Sequence, residues 1–283
     1  MAKITMVTDS SAYLSKDFVA KHGIKVVPLN LNWDNENFRD NVDITAEAFY
    51  QRLEKSISVP TTSQPSGGDF LAAFKEAAKS ADALVAVLIS SGISGTVDSA
   101  IMAKKEFTQV PVEIIDSKVA AAGLALMCKA IASAVEKGDS VDEVLKMGKR
   151  VLDSIKVFFV VDTLKYLHKG GRIGGASAFL GSALDLKPIL YLSPEGKVEA
   201  LEKVRTKKKA VSRLIDLAVE KADGRKAYVG IMHANALEGA QAIKAELENR
   251  MDLADIEIFE LSPAIGTHTG PGTLGIAVHT TAY

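Results

Sequence analysis

The chain has 283 residues, 47% of them hydrophobic, which is enough for a sizeable core in one large domain or two ordinary ones. Its 34 basic and 35 acidic residues give a net charge of -1, so the composition offers no reason to expect nucleic acid or an anionic membrane as a partner. The chain has no signal-peptide pattern, no apolar run of membrane-spanning length and no second cysteine to pair with Cys128, so we expect a cytoplasmic globular protein.

The first half of the sequence alternates short apolar runs with helical segments. A strand is predicted at residues 24–33, and the continuous β-rich runs are residues 3–9, 83–90 and 110–116. Such runs are typical of parallel strands covered on both faces, so we predict βαβ units in a layered α/β domain with a mostly parallel sheet. Two longer helices follow at about 120–137 and 141–155, and Ser140 with Glu143 forms a capping box for the second.

The pattern changes after residue 156. A strand is predicted at residues 156–163, and a basic, glycine-rich turn follows it. A hairpin is predicted at residues 188–205 and a helix at about 207–222, and a further helix and further strands follow. Hairpins mixed with helices favour an α+β domain with a mixed sheet. We therefore predict two domains, a layered α/β domain at residues 1–155 and a mixed α/β domain at residues 156–283, with a ligand between them.

Polar, hydroxyl-rich loops recur at the ends of the apolar strands. They are TDSSAYL (8–14), PTTSQPSGG (60–68), SSGISGT (90–96), DSK (116–118) and IGTHTGPG (265–272). In open α/β sheets ligands collect at the carboxyl ends of strands, and the free amides at a helix start favour an anion, which places Ser94, Gly95 and Thr96 well for a carboxylate or phosphate. Serine and threonine are also ordinary helix caps, which explains any one of these loops equally well, but five together favour a ligand site.

The stretch AIGTHTGPGTLG, residues 264–275, places four glycines around one histidine. It has neither the lysine of a phosphate-binding P-loop nor the strand-to-helix context of a dinucleotide fingerprint. Glycine clusters indicate tight turns or a close approach of backbone, and we expect Gly270 or Gly272 to need a positive φ. Of the five histidines, His268 is the favoured ligand contact. The alternative interpretation of the stretch is a twisted connection between two strands that contacts no ligand.

A catalytic arrangement stays open at this stage. Ser10, Ser63 or Ser94 could act as a nucleophile with a histidine base, above all Ser63 or Ser94 with His268, and Asp9 or Asp116 as the orienting acid. No G-x-S-x-G elbow or spaced metal-binding cluster supports it, and the lone cysteine lies in an apolar helix typical of core. A hydrolase or acyl transferase is thus the alternative to a binding protein, and a sensor of a non-lipid ligand is a third possibility.

Taken in order, the motifs TDSS, PTTSQPS, SSGISGT, DSK, LKYLHKGGRI and GTHTGPGTLG resemble those of the DegV family of bacterial fatty-acid-binding proteins, across essentially the whole chain. The resemblance implies a two-domain DegV-like α/β fold and a non-catalytic lipid carrier. One long-chain fatty acid such as palmitate would lie in a buried tunnel between the domains, and no cofactor is expected.

The resemblance also implies roles for particular residues and partners. The residues implied at the fatty acid carboxylate are Thr62, Ser94 and Gly95, with Thr61, Ser63 and His268 in the same site. Arg172 and Arg205 would contact a fatty acid kinase or hold the phosphate of the acyl group. The expected partners are the fatty acid and this kinase, with transient membrane contact and no nucleic acid.

Overall fold

A computed structural model describes residues 2–181 and 186–283 of the protein. The strands in these residues are β1 (Ile4–Asp9), β2 (Lys25–Val27), β3 (Asn30–Trp33), β4 (Glu36–Arg39), β5 (Thr61–Ser63), β6 (Ala83–Leu88), β7 (Val112–Asp116), β8 (Lys156–Val160), β9 (Lys187–Leu192), β10 (Val198–Val204), β11 (Ala227–His233), β12 (Leu253–Glu260) and β13 (Leu274–His279). The helices are α1 (Lys16–His22), α2 (Ala46–Lys55), α3 (Gly67–Ala78), α4 (Thr96–Glu106), α5 (Ala122–Glu136), α6 (Val141–Ser154), α7 (Lys165–Lys169), α8 (Lys207–Ala222), α9 (Leu237–Arg250) and α10 (Pro263–Thr269).

The N-terminal half builds a parallel sheet with the strand order β2-β1-β6-β7. Every neighbouring pair in it is parallel, and all residues of β1 and β6 are buried. This agrees with their continuous apolar sequences, because the central strands of such a sheet are covered on both faces. The predicted parallel α/β layer is confirmed.

The C-terminal half builds a six-stranded mixed sheet with the order β10-β9-β8-β13-β11-β12. The predicted hairpin is its β9–β10 pair, which is antiparallel, and β11 pairs parallel with β12. The mixed sheet is therefore confirmed. The parallel sheet uses residues 4–116 and the mixed sheet residues 156–279, while the domain division near residue 155 stays a prediction.

Helix α5 packs against strands of both sheets. Its residues are buried on nearly every side, which explains an apolar sequence with little polar face. The helix approaches β11 closely at Gly230, where an added Cβ would lie 2.8 Å from the Cβ of Ala122. The core of the parallel sheet is thereby continuous with one face of the mixed sheet.

Three local predictions need correction. The run at 24–33, predicted as one strand, is interrupted by Pro28 and Leu29 because proline lacks the N–H of a ladder bond. Its second part joins β4 and β5 in a separate three-stranded sheet. Residues 264–275, predicted as a loop, begin inside helix α10. The basic turn predicted after Thr163 contains the short helix α7 and a 3-10 helix at Gly174–Phe179.

Candidate ligand-binding site

A cavity lies between the carboxyl end of the parallel sheet and one face of the mixed sheet. Its apolar walls include Ile89, Ala120, Phe159, Leu192, Val198 and Met232. The empty space between the lining atoms is about 810 Å³, including the part open to solvent. Most of the lining side chains are apolar, so the cavity suits a ligand with a large apolar part.

The polar lining residues come from loops that the sequence singled out. They are Thr62, Ser63, Gln64, Ser94, Arg172 and His268. Thr269 and Thr273 also line the cavity, but their hydroxyls donate to backbone carbonyls of their own segment. The polar groups that can serve a ligand are thus the first six.

Thr62 and His268 form a hydrogen bond, with Oγ1 and Nε2 2.7 Å apart. Side chains alternate along β5, so Thr62 turns inward while Thr61 and Ser63 are exposed. Burial, with a smaller effect of the Arg172 guanidinium, lowers the pKa of His268 to about 4, so the imidazole is neutral at pH 7. A neutral ring that donates from Nε2 to Thr62 Oγ1 leaves the threonine proton available to a ligand.

Ser94 and Gly95 lie at the start of α4. Gly95 is the N-cap residue and provides no side-chain cap, so N–H groups of the first turn have no partner within the helix. The Ser94 hydroxyl lines the cavity, 2.8 Å from Oγ1 of Thr96. This helix start presents donors of the kind that bind carboxylates.

Arg172 lines the cavity, whereas Arg205 is exposed and lies outside the lining. Arg172 donates from Nε to the carbonyl of Ile93 at 3.1 Å and from Nη1 to the carbonyl of Gly170 at 2.8 Å. These bonds hold the guanidinium beside the SSGISGT loop and close enough to His268 to affect its pKa. The family resemblance implied the same role for Arg172 and Arg205, contact with a kinase or with the phosphate. The structure places only Arg172 at the cavity.

Gln64 is a polar residue of the cavity that the sequence reasoning missed. Its side-chain amide donates to Ser99 Oγ at 3.1 Å, and Asn30 donates to its backbone carbonyl at 3.3 Å. Its side chain packs so closely on Gly95 that an added Cβ there would collide with it. Its only signal in the sequence was its place inside the PTTSQPS motif.

Comparison with known proteins identifies the family. A family model described as uncharacterised protein, DegV family, matches residues 3–281. The chain belongs to the DegV family. It is 38% identical over 277 residues to a DegV domain-containing protein of Streptomyces coelicolor, covering 97% of this chain and 98% of that one.

Two solved DegV structures extend the match to the fold. A DegV family protein from Thermus thermophilus, described by its fatty acid binding, has a TM-score of 0.94 at 37% identity and covers 99% of this chain and 100% of the other. DegV of Bacillus subtilis, described as a fatty acid binding protein, has a TM-score of 0.91 at 33% identity with the same coverage. The resemblance read from six motifs is thus confirmed, together with the DegV fold.

The glycine-rich DegV motif near the C-terminus serves close packing within the protein. Gly270 has φ 76° and ψ 166°, a combination essentially restricted to glycine, and Gly272 has φ 81°. An added Cβ at the first would overlap the ring of Tyr166, and at the second the carboxylate of Asp162. The expectation of a positive φ is confirmed, but these glycines approach the segment at 162–166, and His268 lies on α10 instead of in their turn.

The hydrogen bonds of this DegV protein do not form the catalytic arrangement that the sequence left open. His268 is bonded to a threonine and not to a serine. Asp9 accepts from Ser11, and Asp116 accepts from Ser91. In the part of the chain that the structure describes, neither carboxylate accepts a hydrogen bond from a histidine.

Within residues 2–181 and 186–283, no group of three or more His, Cys, Asp or Glu side chains could hold a metal ion. The same residues contain no helix with the length and apolarity to cross a bilayer. Burial raises the pKa of the Cys128 thiol to about 12, as expected of a core residue and not of a nucleophile.

Proposed function

We propose that this protein binds one long-chain fatty acid in the cavity, with the hydrocarbon chain along the apolar walls. The carboxylate lies at the polar cluster, which we define as Thr62, Ser94, Gly95 and His268. The observation that carries the proposal is the lining itself, a mainly apolar space with a few polar side chains, among them the bonded pair Thr62 and His268 and the guanidinium of Arg172. The two DegV relatives described as fatty acid binding support it.

The energetics of such a ligand favour this geometry. Removing an acyl chain from water gains ~0.8 kcal/mol per methylene, so fifteen or so give a gross gain above ~10 kcal/mol before the losses of binding. The carboxylate contributes a cost, because a buried charge without hydrogen bonds is strongly unfavourable. Several donors must therefore meet it where it leaves water.

We assign these donors to the Thr62 hydroxyl, the Ser94 hydroxyl and the backbone N–H of Gly95. His268 supports Thr62 by fixing the direction of its proton. Ser63 also borders the cavity, but its side chain shares the exposed face of Thr61 on β5, so we assign it no bond to the carboxylate. Thr61 is exposed on the other face of β5, so it has no contact with the carboxylate in this arrangement.

Mass spectrometry of a lipid extract from the protein purified out of a bacterial host tests the proposal. We expect a long-chain fatty acid in near-equimolar amount. Turnover of a long-chain ester by the same preparation would favour an enzyme, and the absence of both lipid and turnover would favour a sensor of another ligand.

Substitution of Ser94 by alanine should weaken palmitate binding about tenfold, because one hydrogen bond to a charged group is lost. Isothermal calorimetry on delipidated protein measures the affinity, and circular dichroism confirms the fold. Ser91→Ala is the matched control, since Ser91 lies in the same loop but bonds Asp116 and does not line the cavity. Equal affinities for the two variants would place the carboxylate elsewhere.

We further propose that the protein carries the fatty acid to a fatty acid kinase, which transfers the γ-phosphoryl group of ATP to the carboxylate and releases ADP. Arg205 is the candidate contact with the kinase, because it is exposed and stands apart from the cavity. Its guanidinium has the fork of donors that matches carboxylate and phosphate oxygens.

Arg205→Ala should leave palmitate affinity unchanged and slow acyl-phosphate formation several-fold, whereas Arg172→Ala should impair both because Arg172 lines the cavity. A radiolabelled phosphoryl-transfer assay with kinase and ATP, run beside calorimetry, separates the two effects. Lys208→Ala is the control for loss of a nearby exposed charge. Full phosphorylation by the Arg205 variant would remove Arg205 from the contact.

A further inference from the structure

Two buried carboxylates near the cavity have no part in the function proposed so far. Asp9 and Asp40 are both fully buried, and neither lines the cavity. Asp9 belongs to the TDSS motif, which the sequence grouped with the ligand loops, yet no residue of the turn Asp9–Ser11 faces the cavity. Their hydrogen bonds identify the backbone segments that these two carboxyl groups hold in place.

Asp9 holds the start of the SSGISGT segment. Its Oδ1 accepts from the backbone N–H of Ser11 at 3.0 Å, and its Oδ2 accepts from the backbone N–H of Ile89 at 2.7 Å. Ile89 follows β6 and lines the cavity. The chain then runs directly to Ser94, so the carboxylate fixes where that segment leaves the sheet.

Asp40 holds the start of α10. Its Oδ1 accepts from the backbone N–H of Ala264 at 3.0 Å. The helix has no side-chain cap of its own, because Ser262 makes none and Pro263 has no N–H to donate. His268 lies one turn beyond Ala264 on the same face, so the carboxylate fixes the helix that carries the imidazole.

Ser10 joins the two carboxylates into one unit. Its hydroxyl donates to Oδ2 of Asp40 at 2.6 Å and accepts from the backbone N–H of Leu29 at 3.1 Å. Ser10 lies between Asp9 and Ser11, so a single turn is tied both to the segment that carries Ser94 and to the helix that carries His268.

We propose that the turn Asp9–Ser11 and Asp40 are positioning residues, which hold the Ser94 segment and helix α10 at the separation that the polar cluster requires. This inference rests on the proposed function only in naming a fatty acid carboxylate as the ligand of that cluster.

The cost of this arrangement indicates that it serves more than packing. Burial raises the pKa of Asp9 to about 6 and also raises that of Asp40, so the core disfavours the ionised form of both carboxyl groups. Apolar side chains of similar size often stabilise a core as well or better. Here each carboxyl group instead accepts a hydrogen bond from the backbone of one of the two segments that carry the polar cluster.

The test compares Asp40→Asn and Asp40→Ala with Asp43→Asn, a control in the same loop whose exposed carboxylate pairs with Arg39. Palmitate affinity is measured by calorimetry on delipidated protein. The ¹⁵N shifts of the His268 ring, assigned with His268→Gln, report the hydrogen bond to Thr62 in the absence of ligand. The other histidine signals serve as internal references.

We expect Asp40→Ala to weaken palmitate binding about tenfold and to shift the His268 ring nitrogens. Asp40→Asn should recover part of both, because its amide oxygen can still accept from Ala264. Asp43→Asn should change neither. Should the alanine variant be unfolded at the working temperature, Asp40→Asn and Ser10→Ala decide by the same two measurements.

Parental affinity together with unmoved His268 signals in folded Asp40 variants would overturn the inference. If the parent itself does not bind palmitate, the proposed function fails, while the His268 shifts still decide whether Asp40 positions α10. The two failures are thereby distinguishable.

Discussion

Substitution of Gly270 by valine should lower the melting temperature of the protein by roughly 5–10 °C, since a β-branched residue in a glycine-only conformation costs a few kcal/mol. The backbone at φ 76° and ψ 166° excludes an ordinary side chain, and the added atoms would overlap the ring of Tyr166. Gly272→Val should behave similarly, because its φ is 81° and its Cβ would meet Asp162. Differential scanning calorimetry measures both.

Gly23→Val is the control for a positive φ without a collision. Gly23 has φ 62° at the end of α1, but an added Cβ there meets no atom within 4 Å. Its melting temperature should fall by only part of the Gly270 effect. Equal losses at the two positions would mean that contact with Tyr166 contributes nothing, and unchanged melting of both loop variants would show that the loop tolerates side chains.

Substitution of Thr62 by valine should weaken palmitate binding by roughly a hundredfold, the largest loss that we expect from one atom exchange in the polar cluster. The side chain keeps its shape but loses the donor to the carboxylate. The same change leaves Nε2 of His268 without its partner at 2.7 Å. The ligand carboxylate and Nε2 of His268 thus each lose a hydrogen-bond partner in a site that is partly withdrawn from water.

Thr61→Val is the matched control for Thr62. It makes the same chemical change one residue earlier on β5, where the side chain faces solvent, and it should bind palmitate like the parent. Because the pKa of His268 is about 4, the ring is neutral between about pH 6 and pH 8, and the difference between the variants should not change over that range. Similar losses for Thr61 and Thr62 would point to the strand and not to the hydroxyl.

The regular elements followed from local sequence because their signals are local. Helix α8 was predicted at 207–222 and occupies Lys207–Ala222, and the capping box of Ser140 with Glu143 is present. Helix α10 was not predicted, because glycine and threonine are weak helix formers. The start of the helix is held by the carboxylate of Asp40, which is 224 residues away from Ala264 in the sequence. A prediction from the local sequence at 263–269 does not include that residue.

The polar cluster was predictable only as far as the family motifs carried it. Thr62, Ser94 and His268 were named and do line one cavity. The inward position of Arg172 was not foreseen, because a basic, glycine-rich stretch is usually solvated surface. Its guanidinium turns inward to bond the carbonyl of Ile93, 79 residues earlier, and such a pairing leaves no trace in the local pattern.

The distance along the chain between the partners of the polar cluster sets when the cluster can form during synthesis. The Thr62–His268 bond joins residues 206 apart, and the Asp40–Ala264 bond joins residues 224 apart. A growing chain therefore completes the parallel sheet long before α10 exists, and until α10 is added Thr62 has no imidazole to bond and Ala264 is not there to donate to Asp40. At about 5–20 residues per second, the ribosome needs on the order of ten seconds or more to add the second half. Throughout that interval the polar cluster is incomplete, so the proposed set of carboxylate contacts exists only in a finished chain.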